Sequence, residues 1–418
     1  MQDLSFSPEL LALADKAENK ARQRFAVIDA VSQQCTARVM AAFARHRVSD
    51  ACFGGTTGYG YDDVGRERLE AIYADVFGCE KALVRHSFVN GTHAIACAMF
   101  SAVKTGDTLL SITGSVYDTL RTVAGVRGAL GGTFADYGIG YREVPLKNGM
   151  PDLPAIREAA AASDVRAIFI QRSRGYGDRK SLTSAEIGEL CALVRSVNPN
   201  AAIIVDNCYG EFCELTEPTH HGADLICGSL IKNPGGGLAP SGGYVAGRAD
   251  LVEKAAFRLT VPGIGGECGP TLGLNRSLFQ GFFMAPHTVA QALKTAVFCA
   301  ALLEEMGCDL SPRWDEERCD IIQTIRFGAP DPLLAFCRGI QAGAPVDAYV
   351  TPEPWDMPGY DCPVVMAAGA FVQGASIELS CDAPMRPPYI AYLQGGLTYE
   401  SGKLGILTAA QGMLNTKK

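Results

Sequence analysis

Short, continuous apolar runs alternate with longer amphipathic stretches over the first two thirds of the chain. Runs of strand length occur at 82–84, 108–112, 167–170, 201–205, 225–227 and 244–246. Several are apolar at every position, which suits strands covered on both faces of a sheet. Stretches of helical character at 92–104, 152–162 and 184–197 separate many of them. Strand–helix–strand repetition predicts a mostly parallel sheet flanked by helices, an α/β fold. Such sheets bind ligands beyond the carboxyl ends of their strands, so the residues just after each run carry the functional reading.

The flanking regions differ. Ser7-Pro8-Glu9 has a capping hydroxyl and a first-turn proline, which predicts a long helix from there to about Arg47. A Gly-rich segment at 53–61 follows, and after Asp62-Asp63 a second helix is expected to about Phe77. Another long helix is expected from about Pro286 to Met306. Beyond it the character changes, with expected strands at 320–327, 364–371 and 376–379. Helices are expected near 332–342 and at the C-terminus, and proline is dense between 345 and 388. The expected organisation is an N-terminal helix and Gly-rich arm over 1–60, a large α/β domain over 61–290, and a smaller α+β domain over 291–418. A length of 418 residues suits this at roughly 100–200 residues per domain.

Composition narrows the function classes. With 48% hydrophobic and 20% charged residues the chain is a folded globular protein. A formal net charge of −8 argues against a broad electrostatic grip on nucleic acid or anionic lipid. No apolar run reaches the ~18 residues of a membrane span, and the start lacks a basic and apolar leader, so a cytoplasmic protein is expected. Fifteen cysteines include no C-x-x-C pair, and many lie in apolar stretches, as expected of buried thiols in a reducing compartment. Six scattered histidines supply no ligand spacing, and no metal site is expected.

Chemistry gathers after the runs. Val205 leads into Asp206-Asn207, and an acid there could meet a metal, a ribose or a cationic ring nitrogen. The run ending at Cys227 leads into Gly228-Ser229-Leu230-Ile231-Lys232-Asn233-Pro234-Gly235-Gly236-Gly237. Desolvation disfavours an ammonium, so a lysine in such a pocket can become a free amine and form a Schiff base. No P-loop pattern occurs. Asn90-Gly91-Thr92 opens a helix, where backbone N–H groups suit a phosphate. Tyr117 follows the run at 108–112 and could stack on a planar ring. Each feature alone has an ordinary structural explanation. Together they form the set that pyridoxal phosphate needs: a phosphate cup, a stacking ring, a carboxylate and a lysine.

The sequence at this point resembles fold-type-I pyridoxal-phosphate enzymes, and more narrowly the methionine gamma-lyase-like family also labelled aluminium resistance protein. Cystathionine beta- and gamma-lyases are relatives. The stretches that carry the resemblance are Gly58-Tyr59-Gly60-Tyr61-Asp62-Asp63-Val64-Gly65-Arg66, Asn90-Gly91-Thr92-His93-Ala94, Val205-Asp206-Asn207-Cys208-Tyr209-Gly210-Glu211-Phe212, residues 228–237, and Ala383-Pro384-Met385-Arg386-Pro387-Pro388-Tyr389. The resemblance implies that Lys232 carries the cofactor, Asp206 meets its ring nitrogen, and Tyr117 stacks on the ring and serves as an acid. It implies that Asn90, Gly91, Thr92 and Ser229 bind the phosphate, and that Tyr59 or Tyr61, with Arg66, reaches the phosphate of a partner subunit. Arg386 is the candidate for the substrate carboxylate. Arg172 or Arg174 lines the site or serves as a structural charge. The implied activity is a carbon–sulfur lyase acting on a sulfur-containing L-amino acid and giving thiol, ammonia and 2-oxo acid. The alternatives are an aminotransferase or another lyase with the same cofactor, or a non-catalytic stress-response protein on this fold. A homo-oligomer, dimer or tetramer, is implied as well.

Overall fold

The structure, a computed structural model, describes residues 5–128, 131–177, 179–357 and 361–416. Residues 1–4, on which the reading of the N-terminus rests, lie outside these. In chain order the first elements are helix α1 (Pro8–Arg45), helix α2 (Val64–Val76), strand β1 (Lys81–Arg85), helix α3 (Gly91–Ser101), strand β2 (Thr108–Ser111) and helix α4 (Asp118–Val123). Strand β3 (Gly140–Glu143), helix α5 (Leu153–Ala160), strand β4 (Val165–Gln171), helix α6 (Ser184–Val197) and strand β5 (Ala202–Asp206) follow. Next come strands β6 (Leu225–Ser229) and β7 (Gly243–Gly247), then helices α7 (Ala249–Leu259) and α8 (Asn275–Glu305). The last part holds strands β8 (Asp309–Ser311) and β9 (Gln323–Arg326), helix α9 (Pro330–Ala342), strands β10 (Val364–Ala368), β11 (Ser380–Pro384) and β12 (Ile390–Gln394), and helix α10 (Tyr399–Thr416).

Contacts divide the chain into two compact units, one of residues 35–283 and one of residues 1–34 with 284–418. The expected arm over 1–60 is therefore shared between them. The reason is apolar: Leu10, Ala14 and Ala17 of α1 enter one buried cluster with Phe298, Leu302 and the strands of the C-terminal part.

In the unit of 35–283, seven strands form one sheet in the order β1-β7-β6-β5-β4-β2-β3. The β2–β3, β2–β4, β4–β5 and β5–β6 pairs are parallel, while β7 is antiparallel to both β1 and β6. Every strand but β7 therefore points the same way. The six expected apolar runs are β1, β2, β4, β5, β6 and β7, and β5 and β6 are buried at every position. Side chains from β1, β2, β4, β5 and β6 pack with Ala94, Ala98, Val252 and Ala256 of α3 and α7 in one core. Helix ends follow local chemistry. Asp63 and Asn90 cap α2 and α3, and Thr183 with Glu186 forms a capping box on α6, which spans the residues expected of it. The short strand β3 and the helices α4 and α7 were not expected.

Helix α8 begins eleven residues before the expected start at Pro286. Buried Leu278, Phe279, Phe282 and Ala285 continue the helical spacing upstream, and their burial outweighs the loss of one helical N–H at the proline.

In the other unit, β10-β11-β12-β9-β8 form an antiparallel sheet that packs against α9, and α10 packs on α9. Two expected strands are corrected. Residues 376–379 form turns, because the Glu378 carboxylate accepts from the N–H groups of Phe371 and Val372 at 2.8 and 2.9 Å. The strand near 320–327 starts only at Gln323, because Asp320 Oδ1 accepts from Ile322 N at 3.1 Å. Such side-chain bonds compete with strand pairing. Among the described residues no helix is long and apolar enough to cross a membrane.

Candidate active site

Since β1, β2, β4, β5 and β6 share one direction, the segments leaving their carboxyl ends emerge along one edge of the sheet. Those segments carry α3, Tyr117, Arg172, Asp206 and Lys232 respectively.

The N-terminus of α3 meets the end of β6. A Cβ added to Gly91 would stand 3.0 Å from Ser229 Cβ, so only hydrogen fits there without displacing a neighbour. Asn90 is exposed, and its side-chain oxygen accepts from His93 N at 2.9 Å. The first N–H groups of a helix have no partner within it, and here they accompany the buried Ser229 hydroxyl. Thr92 Oγ1 lies 3.1 Å from the Tyr117 hydroxyl, which joins the segment after β2 to α3. Burial, with Asp206 nearby, holds the Tyr117 phenol well above its ordinary pKa, so it keeps its proton.

Asp206 ends β5 and is 5% exposed. Its backbone is fixed on both sides: Arg172 N donates to its carbonyl at 3.1 Å, and Asn207 N donates to the Cys227 carbonyl at 3.0 Å. The carboxylate accepts from Cys208 N at 3.1 Å. Burial raises its pKa, against the pull of Lys232 and of the bonds from Cys208. Lys232 Nζ lies 3.9 Å from the centre of the Tyr209 ring. Burial opposes its ammonium, but Cys208, Tyr209 and Asp206 outweigh it and hold the Lys232 pKa well above the ordinary lysine value. The expected desolvation is thus present, yet its neighbours reverse its effect on charge.

Lys232, Asp206, Tyr117, Thr92, Gly91 and Ser229 therefore meet at one edge. Arg172 does not join them as a binding group. It is wholly buried, and its guanidinium reaches Leu182 O at 3.4 Å, Asn207 Oδ1 at 2.6 Å, Glu217 Oε2 at 3.3 Å and Ser184 Oγ at 3.2 Å, as well as Glu214 Oε2. These partners use all five N–H donors, which corrects its placement as a substrate ligand: it is a structural charge tied to Asn207, Glu214 and Glu217. Arg174 is also buried.

Arg66 is corrected in the same way. It is 3% exposed, and its guanidinium binds the carbonyls of Gly60, Gly269 and Glu267 within its own chain. Tyr59 and Tyr61 are exposed and stack on each other with centres 5.7 Å apart. Arg386 belongs to the other unit, where it is exposed in the turn between β11 and β12.

The sequence reading missed Tyr209, Glu211, Glu217, Asn233 and Tyr244. Tyr209 has φ +73°, a left-handed conformation rare for a tyrosine, and the turn it makes carries its ring to Lys232. Tyr209 and Glu211 lie in a stretch already singled out, but no local pattern marks a buried acid.

The chain matches the family model described as Methionine gamma-lyase over residues 10–414. It is 50% identical over 389 residues to the protein YnbB of Bacillus subtilis (strain 168), a match covering 93% of this chain and 92% of that one. A crystal structure of a carbon-sulfur lyase involved in aluminum resistance from Clostridium novyi NT superposes with a TM-score of 0.94 at 46% identity, covering 98% of this chain and 97% of that one. YhfS from Escherichia coli, a pyridoxal-5'-phosphate dependent protein, superposes with a TM-score of 0.62 at 18% identity over 93% of this chain and 97% of that one, which is a likeness of fold.

Proposed function

The chain belongs to the methionine gamma-lyase family, and from that premise we propose that it is a pyridoxal-phosphate-dependent carbon–sulfur lyase acting on a sulfur-containing L-amino acid. The observation that carries this is the meeting of buried Asp206 and half-buried Lys232 and Tyr117 with the α3 N-terminus at one sheet edge.

These residues fit the cofactor. A dianionic phosphate suits the α3 N-terminus, the Thr92 and Ser229 hydroxyls and the close approach at Gly91. A cationic ring nitrogen suits Asp206, a buried carboxylate whose other charged neighbours are Lys232 and Arg179. When bound, pyridoxal phosphate supplies an electron sink for negative charge at the substrate α-carbon.

The chain's own residues would do the rest. Lys232 Nζ would take the proton from the substrate α-carbon, which ends as the carbonyl carbon of the 2-oxo acid. Asp206 holds a proton at the nitrogen it faces. Tyr117, which keeps its phenolic proton, gives one to the departing sulfur. The net reaction consumes water and yields thiol, ammonia and 2-oxo acid. The exposed Tyr59–Tyr61 pair supports a homo-oligomer in which this arm meets a second copy.

The test supplies L-methionine and L-cystathionine to purified protein with pyridoxal phosphate and no amino-group acceptor. Sustained 2-oxo acid release, with ammonia and thiol in equal amounts, is expected. Turnover that requires a 2-oxo acid acceptor would overturn elimination in favour of amino-group transfer.

A further inference from the structure

Five residues beyond Asp206 in the chain lies an acid that the proposed chemistry does not use. Glu211 is wholly buried. Tyr244 of β7 donates its hydroxyl to Glu211 Oε1 at 2.8 Å. Glu211 Oε2 has no hydrogen-bond partner among the described residues. An ionised carboxylate would leave that oxygen charged, buried and without a donor, whereas an acid group spreads no charge there. The surroundings favour neutrality too. Glu217, wholly buried, is an anion nearby, and Arg172 is already committed to Glu217 and Glu214. The other titratable groups facing Glu211 are Tyr73 of α2, Cys208, Cys227 of β6 and Tyr244, all uncharged at neutral pH.

The location gives this acid leverage. A Cβ on Gly228 would stand 2.7 Å from Glu211 Oε1, so the carboxyl rests against the backbone one residue before Ser229. The main-chain carbonyl of Glu211 accepts from Asn233 Nδ2 at 3.0 Å, one residue after Lys232, a bond that fixes the backbone carrying the acid. Glu211 thus touches the residues adjoining both the phosphate hydroxyl and the lysine. We propose that Glu211, in its acid form, is a positioning residue that acts through Gly228 to hold Ser229, and with it the start of the segment that carries Lys232, in place. This rests on the reading that Lys232 carries pyridoxal phosphate. Burial, with Glu217 adding to it, pushes the Glu211 pKa up to about 8, which puts its ionisation within reach of a titration.

The test compares wild type, Glu211→Gln and Glu211→Ala. Infrared spectra should show a carboxylic-acid carbonyl band at about pH 6 that is lost by about pH 10, and Glu211→Gln should lack it at both. The visible absorbance of the cofactor-loaded wild type should pass through a step in that interval which Glu211→Gln does not show. At neutral pH, Glu211→Gln should hold pyridoxal phosphate within about twofold of wild type, and Glu211→Ala about tenfold more weakly. A missing acid band, the same step in Glu211→Gln, or wild-type affinity in Glu211→Ala would overturn the proposal. If Glu211→Ala does not fold, the step in Glu211→Gln decides. Cofactor absorbance without the acid band defeats this proposal alone. The band in a protein that takes up no cofactor defeats the reading of the site, and the positioning role with it.

Discussion

Two arginines, Arg172 and Arg386, have the same chemistry and opposite surroundings: one is wholly buried, the other exposed. Replacing Arg172 by Met removes the counter-charge of half-buried Glu214 and of Glu217, and leaves Glu217 unpaired in the interior. A loss of about 3–5 kcal/mol of stability is expected in denaturant melts. Replacing the exposed Arg386 should instead change stability by less than about 0.5 kcal/mol in the same melts. Lys232→Ala should take up no visible cofactor absorbance and show no turnover; an active variant would sink the proposed chemistry. Glu211 gives a pH signature in stability. Its folded pKa, about 8, lies above the ordinary 4.5, so between those values the folded state keeps a proton that the unfolded chain releases. Stability therefore falls as pH rises from about 4.5 to about 8 and is level above. Glu211→Gln lacks this loss and should be more stable than wild type at pH 7 by up to about 3 kcal/mol. The gain should vanish toward pH 4.5. Thermal melts across that interval check both the sign and the window.

Helix α3 shows how an element serves the site. Its cap, Asn90, is legible in the sequence because a capping side chain acts within three residues. What the cap achieves is not local: it presents the helix start to Ser229, more than a hundred residues away in sequence. Gly91→Ala tests this. Alanine favours helix by up to about 1 kcal/mol over glycine, yet its Cβ would press on Ser229 Cβ at 3.0 Å. Stability should change by less than about 1 kcal/mol, while pyridoxal phosphate binding measured by titration weakens about tenfold. Equal affinity would show that the phosphate does not lie there. The early start of α8 carries the complementary lesson. A local rule placed a boundary at Pro286, and the burial of Leu278, Phe279 and Phe282 overrode it.

At the scale of the molecule, the Gly-rich arm is the conspicuous construction. Asp63 accepts from Thr56, Thr271, Asn275 and the Arg66 backbone, and burial notwithstanding, those bonds hold its carboxyl below its ordinary pKa. Arg66 ties Gly60 to Gly269, and Gly269 N donates to the Tyr59 carbonyl at 2.8 Å. These buried polar groups hold two exposed tyrosines in a fixed stack. A homo-oligomer is the expected outcome of sedimentation at assay concentration. Replacing Tyr59 and Tyr61 together by Ala should weaken assembly or cofactor retention by about tenfold without changing the monomer's circular dichroism. A fully active monomer would contradict the role of the arm.

Much of the α/β unit was legible in the sequence because its signals are local. A strand buried on both faces must be apolar throughout, and a helix must satisfy its first N–H groups within a turn. The same holds for the strand-end residues Asp206, Ser229 and Lys232, which a parallel sheet delivers to one edge. Tertiary structure decided the rest. The antiparallel course of β7 depends on neighbours far away in sequence. Whether Arg172 binds or braces, and whether Glu211 carries charge, depends on which partners share its buried surroundings. Charge in the interior is set by desolvation and pairing, and neither exists until the chain has folded.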